Sequence, residues 1–263
     1  MEMEWLEQLL GKEWDIIPAG GATGEAYFAE QGERKLFLKR NSSPFLAVLS
    51  AEGIVPKLLW AKRITSGDVI SAQVCLRGRK LEPEDMKKER VALLLKKIHM
   101  SDDLLHMIEK LGKTPLKASQ LLQQVRDSLD EEVKQKDPVR QALQYLQESV
   151  EEIECDHVSV CHCDVNHNNW MLSDDDQLYL IDWDGAVIAD PALDIGMLLH
   201  FYIPREEWED WLKSYGMELT DFLLRRMKWY VIAQSIISLQ WYTKKNKQYE
   251  MDYWLTYIKQ LLS

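Results

Sequence analysis

"HCDVNHNN" (residues 162–169) is the stretch whose reading decides the fold. Cys161 and Cys163 flank His162, and Cys155 and His157 stand just upstream. Read that way, the stretch is a cage for a soft metal ion. It also reads as a loop built on Asp164 and on Asn169, five residues later. Spacing separates the two. Structural zinc sites draw on CxxC-type pairs, usually two of them. Here a single residue separates Cys161 from Cys163, and no second cysteine pair follows. A loop whose polar residues only satisfy backbone would need no further acid at a fixed distance. Asp182 nevertheless follows thirteen residues after Asn169.

That layout matches kinase catalytic machinery: a loop aspartate, an asparagine five residues on, and a metal-binding aspartate after a short hairpin. The loop presents one carboxylate, Asp164, to an acceptor hydroxyl. It aims an amide oxygen, Asn169, at Mg²⁺, and the hairpin returns Asp182 to the same ion. Mg²⁺ takes such hard oxygen ligands. "WML" and "LYLI" predict the two hairpin strands, with "SDDDQ" as the polar turn.

The machinery needs upstream partners, and the order of predicted elements supplies them. "EWDIIP" reads as a strand, and "YFAEQGERKLFLKR" as a hairpin turning at Gly32. "SPFLAVLSAEG" reads as a short helix ended by Gly53, and "KLLWAKRI" and "VISAQVCL" as two strands joined by "TSGD". Lys39 ends a strand, where a phosphate-contacting lysine belongs, and Glu52 lies in the next helix, where an acid could hold it. Gly20, Gly21 and Gly24 lie between strands and suit a loop covering phosphates, where backbone must approach closely. "QVCLRG" falls at the hinge position, so the backbone from Val74 to Leu76 could meet adenine.

From Arg77 on the pattern turns helical. Met86, Val91, Leu94, Leu95 and Ile98 predict one helix over residues 82–99. Residues 115–153 predict two more, broken near Asp137 and Pro138, and the chain beyond Pro191 reads as helices. Residues 1–10 read as a short amphipathic helix. Only seven residues separate Asp182 from Asp190, too few for the long activation loop on which peptide substrates dock. A small-molecule acceptor follows, under the C-terminal helices. Residues 201–263 carry fourteen of the 25 aromatics, Trp241, Tyr242 and Trp254 among them. Core packing accounts for most of them, and none is singled out as a cage for a cationic acceptor.

Composition narrows the classes further. The 263 residues are 46% hydrophobic and 29% charged, as in an ordinary globular protein. A net charge of −11 argues against a nucleic-acid binder, since it repels phosphate backbones. The acidic start "MEMEWLEQLL" lacks the basic, apolar pattern of a signal peptide, and no apolar run reaches membrane-spanning length. A cytoplasmic protein with no membrane partner is expected.

With "HCDVNHNN", "LIDWDGA", "DPALDIG" and "LLLKKIH" in hand, the chain resembles the choline kinase and aminoglycoside phosphotransferase superfamily. "FLKRNSSPFLAVLSAEGIVPKLLW" looks closer still to a Gram-positive bacterial subgroup, the YtmP-like phosphotransferases or CcrZ cell-cycle regulators. The resemblance implies an α+β, bilobal, protein-kinase-like fold. Its parts would be a small antiparallel β-rich N-lobe, residues 1–76, that binds nucleotide, and a larger helical C-lobe, residues 77–263, that carries the catalytic loop and substrate pocket. It implies ATP, Mg²⁺ and transfer of the γ-phosphoryl group to a small-molecule hydroxyl. The subgroup implies a pentose acceptor, ribose or 2-deoxyribose, and a link to replication initiation or division proteins. Carried onto this chain, Asp164 is the catalytic base, Asn169 and Asp182 bind metal, and Lys39 contacts phosphates, held by Glu52. Asp184 sits near metal or acceptor, and Asp194 braces the catalytic loop through its backbone. Asn166 and His167 lie between base and metal ligand, where acceptor or phosphate oxygens pass. Cys163 stands where many relatives carry glycine. The alternatives are a regulatory module that keeps a kinase fold and acts through replication proteins, or a choline- or aminoglycoside-type kinase.

Overall fold

A computed structural model describes residue 6, residues 9–20 and residues 25–263. Most of the helix predicted over residues 1–10, and Gly21 and Gly24 of the glycine loop, lie outside these residues. The chain forms two compact units, Met1–Leu81 with Asn168–Asp184, and Glu82–His167 with Gly185–Ser263.

The first unit is built on an antiparallel sheet of β1 (Asp15–Pro18), β2 (Ala26–Gln31), β3 (Arg34–Arg40), β4 (Leu58–Arg63) and β5 (Val69–Val74), in the order β1-β2-β3-β5-β4. Period-2 alternation sorts its faces. Leu38 of β3 joins Leu6, Ala29 and Ala72 in one core, with Leu36, Trp14 and Trp60 packed against it. Phe37 points the other way, to Phe28 at 5.7 Å between ring centroids. Lys39, two residues on, shares the Phe37 face. Helix α1 (Phe45–Ala51) follows, and Gly53 takes φ +68° just past its end, as the predicted stop requires.

The predicted hairpin forms as β8 (Trp170–Ser173) and β9 (Leu178–Leu180), and Asp176 in its turn takes φ +65°. It acquires a third strand that the sequence pattern did not announce, β6 (Gly78–Lys80), paired to β8. Gly78 makes that pairing possible. A Cβ there would stand 2.2 Å from the Leu172 carbonyl oxygen and 2.7 Å from the Ser173 Cα. The Leu180 amide donates to the Ile54 carbonyl at 3.0 Å, tying the hairpin to the end of the α1 segment.

The second unit is helical around a two-stranded ribbon, β7 (Ser159–Cys161) with β10 (Val187–Ala189). The helix predicted over residues 82–99 starts later. Residues Pro83–Lys87 make a 3₁₀ turn, and α2 spans Glu89–His99. Asp85 causes the delay. Its carboxylate takes the Glu82 amide at 3.0 Å, closing a capping box before Lys88 returns to extended backbone. Helix α3 (Asp102–Lys110) is capped by the Ser101 hydroxyl. The stretch 115–153 holds three helices rather than two: α4 (Ala118–Ser128), α5 (Glu131–Lys134) and α6 (Asp137–Ser149). Pro138 opens α6, because proline suits the first turn.

Four more helices follow: α7 (Ala192–Tyr202), α8 (Trp208–Tyr215), α9 (Asp221–Lys244) and α10 (Gln248–Leu262). Helix α9 is buried along its length, with Met227, Trp229, Ile232, Ile236 and Leu239 fully enclosed. Polar groups inside are matched in part: the second carboxylate oxygen of Asp190 and the Nε of Arg226 have no hydrogen-bond partner among the described residues. The Trp229 indole donates to the Leu146 carbonyl at 3.0 Å, and Arg226 pairs with Asp190 at 2.8 Å. Burial still lifts the Asp190 pKa above the usual carboxylate range, against the pull of Arg226.

Gly78→Ala is expected to destabilise the protein by about 1–3 kcal/mol, the usual cost of forcing a methyl into packed structure. A lower urea midpoint at unchanged slope checks it.

Candidate active site

Two groups of side chains gather the residues singled out in the sequence, one in each unit. In the first unit, alternation on β3 carries the Lys39 ammonium to Asp184 at 2.7 Å and Asp182 at 3.6 Å. Asp182 sits at the end of the hairpin with φ +67°, a conformation costly for a side-chain-bearing residue. Its neighbours hold it there. The Ile181 amide donates to the Asn169 carbonyl at 2.8 Å, and the Trp183 indole donates to the Leu180 carbonyl and packs edge-on against Phe45. So Lys39, Asp182 and Asp184 come together although the chain separates them, with the Asn169 main chain bonded beside Asp182. Asp182 and Asp184 are 58% and 64% exposed, so their pairs with Lys39 add little stability. What they create is a solvent-facing oxygen cluster sharing one cation.

Glu52 stands at the C-cap of α1, and the ion pairs of Lys39 are with Asp184 and Asp182. Gly20 has φ +78°. In the segment expected to be the hinge, the Val74 amide donates to the Lys57 carbonyl at 2.9 Å, and the Cys75 amide reaches the Lys35 carbonyl at 3.4 Å. Leu76 follows, half-buried.

In the second unit the loop after β7 is held from beneath. Asp194 on α7, fully buried, accepts from the His162 amide at 2.7 Å and the Cys163 amide at 2.9 Å. This is the backbone brace expected of it. His99 at the end of α2 lies 3.2 Å from the same carboxylate, and its Nδ1 is 2.7 Å from the Tyr215 hydroxyl. A carboxylate only accepts, so His99 Nε2 carries the proton it donates there. Sequence reasoning gave no role to His99 or Tyr215. The one signal was His99 closing "LLLKKIH".

The brace fixes what the loop displays. Cys163 has φ +68°, in the region where glycine is at ease, although it bears a side chain. His162 is buried, and its Nδ1 accepts from the Asp164 amide at 3.2 Å. Asp164 is exposed, and its Oδ1 accepts from the Asn166 side chain. His167 is tied through its amide to the Tyr202 hydroxyl at 3.1 Å.

Cys161, His99 and Asp194 have ligand atoms within 4.8 Å of one another, the arrangement a metal cage would need. Its chemistry is different. Burial, then the charge of Asp194, pushes the Cys161 thiol well above its ordinary range, and its Sγ–H reaches the Ala189 and Asp190 carbonyls at 3.6 and 3.5 Å. Asp194 already has three donors. The cluster is a hydrogen-bonded brace.

A model of the phosphotransferase enzyme family (APH) matches residues 16–230, most of the chain, and the protein belongs to that family. Among solved structures, the choline kinase LicA from Streptococcus pneumoniae is similar at 18% identity and a TM-score of 0.74, covering 99% of this chain and 97% of that one. A thermostable mutant of aminoglycoside phosphotransferase APH(4)-Ia, in its apo form, matches at 15% identity and a TM-score of 0.70, with 98% and 97% covered. The AMP-bound complex of spectinomycin phosphotransferase APH(9)-Ia matches at 15% identity and a TM-score of 0.69, again with 98% and 97% covered. These likenesses establish the protein-kinase-like fold, with its antiparallel N-terminal sheet and helical C-terminal part. Family and fold together make the protein a phosphotransferase of the kinase type.

Asp194→Ala is expected to cost about 3–5 kcal/mol, because it leaves buried donors without an acceptor; chemical denaturation measures it. Iodoacetamide at about pH 8 should leave Cys161 and Cys163 unmodified in the native protein and alkylate both after unfolding, read by mass spectrometry.

Proposed function

We propose that the protein is an ATP- and Mg²⁺-dependent small-molecule kinase that transfers the γ-phosphoryl group to a hydroxyl, that of a pentose. The observation that carries the reading is the meeting of Lys39 with Asp182 and Asp184. One ammonium beside two exposed carboxylates leaves net negative charge and unshared oxygen lone pairs. Such a donor set, with the Asn169 amide, fits Mg²⁺, which prefers hard oxygen ligands and keeps some water. Asn169 and Asp182 would hold the ion, with Asp184 beside them. Bound there, Mg²⁺ would neutralise charge on the β- and γ-phosphate oxygens.

The chain's own groups do the rest. Lys39 binds the nucleotide phosphates, exchanging its carboxylate partners for them, and Glu52 is the acid assigned to hold it in that role. Gly20, with Gly21 and Gly24, covers the phosphates. At the hinge, Val74 to Leu76 meets adenine; the amides of Val74 and Cys75 are engaged, so Leu76 offers its main chain. The AMP in one structural neighbour supports nucleotide use. Asp164, held by Asn166 and by the hydrogen bond its backbone N–H donates to His162 Nδ1, accepts the acceptor proton. Asn166 and His167 line the acceptor's path. A loose transition state leaves most of the rate gain to positioning and electrostatics. Residues 1–76 would form the nucleotide lobe and residues 77–263 the acceptor lobe.

The pentose rests on the YtmP-like resemblance of "FLKRNSSPFLAVLSAEGIVPKLLW". The same resemblance supports a role in timing replication initiation, with replication or division proteins as partners. The short link from Asp182 to Asp190 supports a small acceptor over a protein. No helix among the described residues is long and apolar enough to cross a membrane, and we assign the protein to the cytoplasm.

An ADP-release assay over ribose, 2-deoxyribose, choline and aminoglycosides tests the acceptor, with turnover on a pentose expected; preference for choline would replace the pentose reading. Asp164→Asn should lower kcat by ~10²–10⁴-fold, the usual scale for a positioned base. Asp182→Ala should abolish Mg²⁺-dependent transfer. Near-normal turnover by both variants overturns the mechanism.

A further inference from the structure

Tyr202, the last residue of α7, has no part in the mechanism so far. Its hydroxyl meets His167 twice. It accepts the His167 backbone N–H at 3.1 Å, and it lies 3.1 Å from His167 Nδ1. The two rings also touch edge to face, with centroids 5.7 Å apart and planes at 77°. A tyrosine hydroxyl has one proton to give. Its oxygen already accepts from the backbone amide. If Nδ1 also donated to it, the hydroxyl proton would need another acceptor, and among the described residues Tyr202 has no other hydrogen-bond partner. Donation from the hydroxyl to Nδ1 satisfies the His167 amide, the Tyr202 hydroxyl and Nδ1 at once. Burial pushes the Tyr202 hydroxyl above the ordinary phenol range, which keeps that proton in place.

We propose that Tyr202 is a positioning residue that locks His167 in the tautomer protonated at Nε2, making it a hydrogen-bond donor to an oxygen of the acceptor. His167 lies three residues after Asp164 and is half-exposed. Its Nε2 has no hydrogen-bond partner among the described residues. The choice of acceptor over nucleotide follows from its surroundings. The phosphate-side groups Lys39 and Asp182 belong to the first unit, whereas His167 and Tyr202 belong to the second. There Tyr202 lies within electrostatic reach of Asp164 and Tyr253. Its neighbour Phe201 packs on Trp254 and Tyr257 at 5.5 and 5.1 Å. An oxygen of a polyhydroxyl acceptor other than the one phosphorylated is the group such a donor recognises. Choline, with its single hydroxyl, offers it nothing, so the inference rests on the pentose reading above and deepens it.

The test has a structural arm and a kinetic arm. ¹⁵N-histidine NMR of the ligand-free protein, with the His167 signals assigned by their loss in His167→Gln, reads the tautomer directly. The wild type should show Nε2–H, and Tyr202→Phe, which keeps the ring and removes the hydroxyl, should show a mixture. A wild-type Nδ1–H signature, or an unchanged spectrum in Tyr202→Phe, overturns the inference. In steady-state kinetics with ribose, Tyr202→Phe should raise the ribose KM about 3–10-fold, the worth of one hydrogen bond, with kcat and the ATP KM nearly unchanged. A rise confined to the ATP KM, or an equal fall in kcat, overturns the acceptor role. His167→Gln, which can still present an N–H, should retain more ribose affinity than His167→Leu; equal loss in both counts against it. This pair also covers the case in which Tyr202→Phe fails to fold. If the wild type phosphorylates no pentose, the pentose reading and the acceptor role fall together, while the spectrum alone still decides the tautomer lock.

Discussion

The buried carboxylate of Asp194 is the constraint on which the loop carrying Asp164 depends. Placing a charge where no water reaches it is costly unless every lone pair finds a donor. Here the donors are the amides of His162 and Cys163 and the ring of His99. Because two of the three are consecutive backbone amides, satisfying Asp194 dictates the path of the chain just before Asp164. The loop takes that path only by putting Cys163 at φ +68°, at a cost of roughly 1–2 kcal/mol for a residue with a side chain. Charge-assisted hydrogen bonds to a buried carboxylate outweigh such strain.

The brace has depth. The Tyr215 hydroxyl meets His99, His99 meets Asp194, and Asp194 meets the loop, so α2, α7 and α8 converge on one pair of amides. Burial pushes the Tyr215 hydroxyl far above its ordinary range, and Cys161 is silenced in the same way. Groups that could ionise elsewhere are therefore held neutral around the one carboxylate that organises the loop. At the front, Asp164 is exposed, as the role proposed for it requires.

The hairpin end follows a parallel logic. Asp182 also takes a positive φ, +67°, and it too is flanked by fixed groups: Ile181 bonded to Asn169, and Trp183 bonded to Leu180. Strain at both aspartate-bearing turns, each held by its neighbours, fits the roles proposed for Asp164 and Asp182. The exposed contacts of Lys39 agree, since partners this accessible contribute little to folding.

Much of this was legible in the sequence. The spacing from Asp164 to Asn169 and Asp182 lies along one continuous stretch, and loop and hairpin geometry turn spacing directly into position. Strand alternation likewise set the face of Lys39, and Gly32 and Gly53 marked their turns. Local competition was harder to read. The Asp85 carboxylate delayed α2 by capturing an amide, and periodicity carries no trace of that. Hidden altogether were contacts between residues far apart in the chain. Lys39 meets Asp184 across 145 positions, His99 meets Asp194 across 95, and Tyr202 meets His167 across 35. The sequence by itself determined which groups could do the chemistry and the order in which they come. The tertiary structure decided which groups hold them, because a buried charge or a single hydroxyl proton selects its partners by distance in space, and distance in space is settled only when the helices pack.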